Sequence, residues 1–173
     1  VFQKPLLLKW RTIFDNVLLP AEILGLPVNE SRDRANDLIN MVGLNDFKNA
    51  YPGQLSGGMQ QRASIARALI HDPSLILMDE PFGALDALTK AHLQDSLMEI
   101  HSNLGTTVVM ITHDVDEAVL LSDRIVMMSN GPAATIGEIL PIPLPRPRSR
   151  LALADSTEFL HARQQVLQFL YEK

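Results

Sequence analysis

The chain has 173 residues, a formal net charge of −5, 46% hydrophobic and 20% charged residues, the balance of one ordinary globular domain with a sizeable core. The acidic excess argues against nucleic acid as the main partner, and the absence of cysteine excludes a disulfide framework and a thiolate metal site. No run reaches the ~18 apolar residues of a membrane-spanning helix, and no signal-peptide pattern is visible.

In chain order, Val1-Phe2-Gln3 reads as the end of a strand, which gives the expectation that the chain begins inside a domain. Pro20 is expected to open a helix, where its missing N–H costs nothing. Residues 30–42 form a predicted helix stopped by Gly43. Residues 51–58 are a loop rich in Pro and Gly, followed by a helix over 59–70 that ends before Asp72-Pro73. The run 75–78 is wholly apolar and ends in Asp79-Glu80-Pro81. It fits a strand buried on both faces of a parallel sheet. Residues 88–104 carry a helical stripe of Leu93, Leu97, Ile100 and Leu104, closed by Gly105. A second buried strand follows at 106–112, a short helix at 115–121, and a third strand at 124–129. Asn130-Gly131 signals a hairpin into a strand at 134–139. This order predicts an α/β fold whose parallel sheet is closed by an antiparallel edge. The Pro-rich stretch 141–150 reads as extended, with Arg146, Arg148 and Arg150 as a solvated connector or a partner patch. The last helix, 157–171, presents Leu160, Val166, Leu167 and Leu170 as its apolar stripe.

Four segments carry chemistry. Leu55-Ser56-Gly57-Gly58-Met59-Gln60-Gln61-Arg62 is a Ser-Gly-Gly turn feeding a helix. Its first N–H groups and the helix dipole favour an anion, and two glycines let the backbone approach a phosphate. The tripeptide alone fits an ordinary helix cap equally well. Asp79-Glu80 lies at the end of a buried strand, where α/β proteins bind ligands. Asp79 suits magnesium and Glu80 suits orienting or deprotonating a water. Gly83-Ala84-Leu85-Asp86 follows, with Asp86 also placed to cap a helix. His113 ends the second strand in Thr112-His113-Asp114. His71, His92, His101 and His161 fall in no motif and read as surface or helix residues.

Taken together these segments resemble the signature motif, Walker B motif, D-loop and switch histidine of ABC transporter ATP-binding subunits, in the family's order. Gln3 resembles that family's Q-loop glutamine. The resemblance implies a P-loop NTPase-like fold, a parallel sheet core with an inserted helical subdomain. The helical part would span about 5–70, the RecA-like core about 71–140, and a C-terminal segment and helix 141–173, all within one partial domain. No glycine here is followed by lysine, so the phosphate-cradling Walker A loop is absent. The family places that loop upstream of Gln3, and the expectation is a domain lacking its N-terminal part, unable to hydrolyse ATP by itself.

The resemblance also implies roles: Glu80, His113 and Gln3 catalytic; Ser56, Gly57, Gly58, Gln60 and Asp86 contacting nucleotide; Asp79 and Gln3 serving Mg2+. ATP would lie between head-to-tail subunits. The implied partners are a second ATPase subunit, transmembrane permease subunits docked on residues 6–42 and, indirectly, a solute-binding protein, at the cytoplasmic face of the cell membrane. Met128-Ser129-Asn130-Gly131-Pro132, Thr135-Ile136-Gly137-Glu138-Ile139 and Pro143-Leu144-Pro145-Arg146-Pro147-Arg148 are similar to importers of nitrate, sulfonates, taurine and bicarbonate. Lys4 departs from that group, which carries Asn after the glutamine. A soluble ABC ATPase of DNA repair or translation and a non-catalytic partner-binding fragment remain as alternatives.

Overall fold

The computed structural model describes residues 1–83 and 85–172; Ala84 of the expected D-loop lies outside the described residues. The chain divides into two compact units, one ending at Ile111 and the next beginning at Thr112.

In the first unit, α1 (Ile13–Leu24) is capped by Thr12, whose Oγ1 accepts from the Asp15 N–H at 3.1 Å, with Asp15 favourably placed against the helix dipole. Pro20 lies inside this helix and does not open it. The Thr12 cap sets the start at Ile13, seven residues earlier, and Pro20 costs one backbone bond that Asn16 O would otherwise accept. Asn16 is wholly buried and holds the preceding loop through Leu8, Arg11 and Thr12 carbonyls. Helix α2 (Val28–Met41) ends at Gly43, whose φ of 67° is the left-handed stop its sequence announced. Helix α3 (Gly57–Leu69) packs against α1 and α2, and its Ala63, Ala66 and Leu69 are all but inaccessible to solvent.

Strand β1 (Leu75–Asp79) pairs in parallel with β2 (Thr107–Ile111), with Leu75 opposite Thr107 and Asp79 opposite Ile111. Between them runs α4 (Ala87–Leu104), which buries Leu93, Gln94, Leu97 and Ile100 and stops at Gly105. The expectation of strands buried on both faces is not met. Ile76 and Met78 are buried, whereas Leu77 is 62% and Ile111 63% exposed. Helices of the unit cover one face of this pair, and the period-two alternation of side chains leaves the other in solvent.

In the second unit, α5 (Val115–Leu121) is followed by β3 (Arg124–Met128) and β4 (Ile136–Pro141), antiparallel to each other. The expected antiparallel edge on a single sheet is instead a separate two-stranded sheet among the described residues. Its β4 begins two residues later than expected because the turn is wider than Asn130-Gly131, closing with the Ser129 N–H on Thr135 O. After α6 (Arg150–Leu153), α7 (Thr157–Glu172) packs on α5. Its buried positions are Ala162, Val166 and Phe169, with Phe159 beside them. Leu160 and Leu170 are half exposed, so the expected stripe was rotated. The ring of Phe169 closes on Gly137 of β4, where a Cβ would come within 2.5 Å, and that sets which face turns inward.

The basic connector is also corrected. Arg148 is buried, and its guanidinium donates to the carbonyls of Leu120 and Ser122 at 2.8 Å and of Leu144 at 3.0 Å. Arg146 donates to Leu121 O at 2.8 Å, and both reach Asp123. The unsatisfied carbonyls at the C-terminus of α5 attract these cations. Burial pulls the Arg148 pKa down, as does Arg146 beside it, while Asp123 acts against both.

Candidate active site

The end of β1 gathers three of the expected residues. Val1 donates its N–H to Leu77 O at 2.6 Å and accepts from the Asp79 N–H at 2.9 Å. Residue 1 therefore runs parallel to β1 on the edge opposite β2. That pairing brings Gln3 to the same strand end as Asp79 and Glu80. The Glu80 N–H continues the ladder to Ile111 O at 2.9 Å, but its φ is +40°, a conformation that costs a non-glycine residue of order 1–3 kcal/mol. The chain turns there over Pro81 and Phe82, both buried, and the Gly83 N–H closes the turn on Glu80 O at 3.1 Å.

The strained turn presents the Glu80 carboxylate to Gln3, whose Nε2 donates to Glu80 Oε2 at 3.1 Å. Gly83 permits the pair: a Cβ there would stand 3.0 Å from Gln3 Nε2 and 3.4 Å from Glu80 Oε2. Asp79 beside them is exposed. Among the described residues no group of three or more His, Asp or Glu is arranged to hold a metal. What stands here is a smaller set of hard oxygen donors, Asp79, Glu80 and the Gln3 carboxamide, the kind of set magnesium accepts alongside several waters.

The Ser-Gly-Gly turn lies at the start of α3. Ser56 is the cap, and its Oγ accepts from the Met59 N–H at 3.3 Å. The first intrahelical bond runs from the Gln60 N–H to Ser56 O, so the Gly57 and Gly58 N–H groups precede the helical ladder. The two glycines differ. A Cβ on Gly57 would meet only Leu85 Cδ2 at 3.7 Å, whereas one on Gly58 would collide with Thr89 Cγ2 in the first turn of α4. Gly57 keeps an exposed approach open, and Gly58 lets two helix starts touch. Gln60 turns inward, its Nε2 donating to Pro52 O at 3.0 Å and Leu55 O at 3.2 Å. Asp86 caps α4, accepting from the Thr89 N–H at 3.1 Å. Bonds from the Thr89 side chain and then its N–H hold the Asp86 carboxyl below the usual carboxylate range.

His113 belongs to the second unit and is exposed. The Asp114 N–H bonds Thr112 Oγ1 at 3.0 Å, and Asp114 caps α5 by accepting from the Glu117 N–H at 3.0 Å. The histidine is thus held in a short fixed turn before a helix.

Gln61 and Arg67 escaped sequence reasoning. Gln61 is 1% exposed and donates Nε2 to Phe2 O at 3.1 Å; Arg67 donates to Leu6 O at 2.6 Å. Helical spacing alone shows them as polar members of α3, and no local signal marks contacts that span about sixty residues.

The sequence model of a family described as "ABC transporter" matches residues 1–83. The whole chain is 55% identical to the nitrate transport protein NasD of Klebsiella oxytoca and covers 67% of it. It is also 48% identical along its whole length to the bicarbonate transport ATP-binding protein CmpD of Synechocystis sp., of which it covers 62%. Among solved structures it is similar to the ATP-binding cassette MJ0796, a dimer in a post-hydrolysis state bound to ADP and Pi. The TM-score is 0.66 at 35% identity, over 82% of this chain and 62% of that one. The chain thus spans about two-thirds of the length of these curated relatives. With identity at this level along its entire length, the chain belongs to the family of ABC transporter ATP-binding proteins.

Proposed function

We propose that the protein containing this chain is the ATP-hydrolysing subunit of an ABC importer for a small oxyanion such as nitrate or bicarbonate. The transport functions named for its relatives support the solute class, and sulfonates or taurine fit the same kinship. The observation that carries the catalytic reading is the Gln3 to Glu80 hydrogen bond at 3.1 Å, made beside Asp79 on a strained strand end. Glu80 orients the attacking water and takes its proton. Gln3 fixes the carboxylate, and its carboxamide oxygen would serve the metal. Asp79 and Gln3 would hold Mg2+, which when bound neutralises charge on the phosphates. Ser56, Gly57 and Gly58 offer a hydroxyl and helix-start N–H groups to the γ-phosphate on a second subunit, with Gln60 shaping that loop and Asp86 setting the start of α4 beside it. His113 donates to the γ-phosphate. The partners are that second ATPase subunit, permease subunits seated on the 6–42 segment and a solute-binding protein, at the cytoplasmic membrane face.

Glu80→Gln in the full-length subunit is expected to abolish steady-state hydrolysis and to trap an ATP-bound dimer, read by phosphate release and size-exclusion chromatography with ATP. Turnover at the parent rate refutes the assignment.

A further inference from the structure

We infer that Gln61 and Arg67 of α3 are positioning residues for Gln3, fixing the main chain on both sides of it so that its amide meets Glu80. This rests on the catalytic reading of Gln3 and Glu80. Gln3 is exposed and lies in a segment without regular structure, and a glutamine side chain has many rotamers to lose. Its hydrogen bond to Glu80 needs the backbone beneath it to be held. The carbonyl immediately before Gln3, Phe2 O, accepts from Gln61 Nε2 at 3.1 Å. Three residues after Gln3, Leu6 O accepts from Arg67 at 2.6 Å. Both donors come from one rigid helix.

A second observation shows that Gln61 is kept at a cost. It is 1% exposed, and its Oε1 has no hydrogen-bond partner among the described residues. A buried unpaired amide oxygen is unfavourable, so packing alone favours an apolar residue of the same size. Arg67 is likewise partly desolvated, which lowers its pKa. Stability given up beside a catalytic pair is the pattern expected of residues retained for the site and not for the fold.

The test uses the full-length subunit, assembled with its partners, in a kinetic cycle. Gln61→Met keeps the volume and removes both the donor and the unpaired oxygen. Arg67→Met removes the second donor, and Arg67→Lys restores one. Gln61→Met and Arg67→Met are each expected to lower kcat about 10-fold, or 1.4 kcal/mol of barrier, with KM for ATP within about two-fold and the Gln61→Met melting temperature equal or higher. Arg67→Lys should recover most of the rate. In a Gln3→Ala background the further loss from Gln61→Met should vanish. Unchanged kcat in both methionine variants, losses that multiply with that of Gln3→Ala, or a Gln3→Ala variant as fast as the parent would each overturn the inference. Glu80→Gln is assayed alongside: parent-like turnover there removes the catalytic reading itself, whereas an inactive Glu80→Gln with unaffected Gln61 and Arg67 variants removes only the positioning role.

Discussion

Gly58→Ala separates packing from phosphate approach in the Ser-Gly-Gly turn. The new Cβ would overlap Thr89 Cγ2, and Thr89 is itself fixed by its N–H bond to Asp86. Overpacking of this kind costs about 1–3 kcal/mol. The alanine recovers up to about 1 kcal/mol of helix propensity, less in a first turn. The net expectation is a loss of about 1–2 kcal/mol, read by urea unfolding of the full-length subunit. Thr89→Ser deletes the colliding methyl and leaves the cap bond in place, so the double variant should recover most of that loss. Gly57→Ala is the control, since its Cβ meets only Leu85 Cδ2 at ordinary contact distance, 3.7 Å. It should be as stable as the parent or slightly more so, yet impaired in ATP-dependent dimerisation. Equal stability of Gly58→Ala and the parent, or a Thr89→Ser background that recovers nothing, refutes the steric argument.

Two further outcomes follow from caps. Arg148→Met strands the carbonyls of Leu120, Ser122 and Leu144, at a total cost of about 3–5 kcal/mol, since each buried carbonyl left without a donor costs roughly 1–3 kcal/mol. At ~2–4 °C per kcal/mol in a chain of this size, scanning calorimetry should record a melting temperature lower by about 6–20 °C; a drop under about 2 °C contradicts the buried clamp. Asp86 titrates below the ordinary carboxylate value because the folded state bonds its charged form. Its contribution is therefore complete above the unfolded pKa of about 4 and disappears as pH falls through the lower folded value. Unfolding measured from pH 7 to pH 2 should show the parent's advantage over Asp86→Asn constant down to about pH 4 and shrinking below it. An advantage that grows on acidification reverses the assigned sign.

How much was legible varied with how local the cause was. Helix α5 (Val115–Leu121) ends where the pattern placed it, and Gly43 and Gly105 stop their helices in the left-handed conformation, because caps and stops act within one turn. The grouping of Gln3 with Asp79 and Glu80 came from family order, and the structure supplies its cause: the parallel pairing of Val1 with β1. Pro20 misled because the Thr12 cap outweighs one lost backbone bond. The burial of Arg148 was not readable, since the carbonyls it satisfies, apart from that of Leu144, lie 26 and 28 residues upstream in a different element. The stripe of α7 was misjudged because Gly137 opens room for Phe169, a contact no helical periodicity encodes.

The Gln3 to Glu80 bond joins residues separated by 77 positions. Closing a flexible span of that length costs about 4 kcal/mol of chain entropy, which a single exposed hydrogen bond cannot offset. The intervening helices must fold first and shorten the loop, and β1 must then be in place to receive Val1. The Gln3–Glu80 contact is accordingly expected late in the assembly of this unit. The Ser56 cap, closed within three residues, is expected to survive partial unfolding that already separates Gln3 from Glu80.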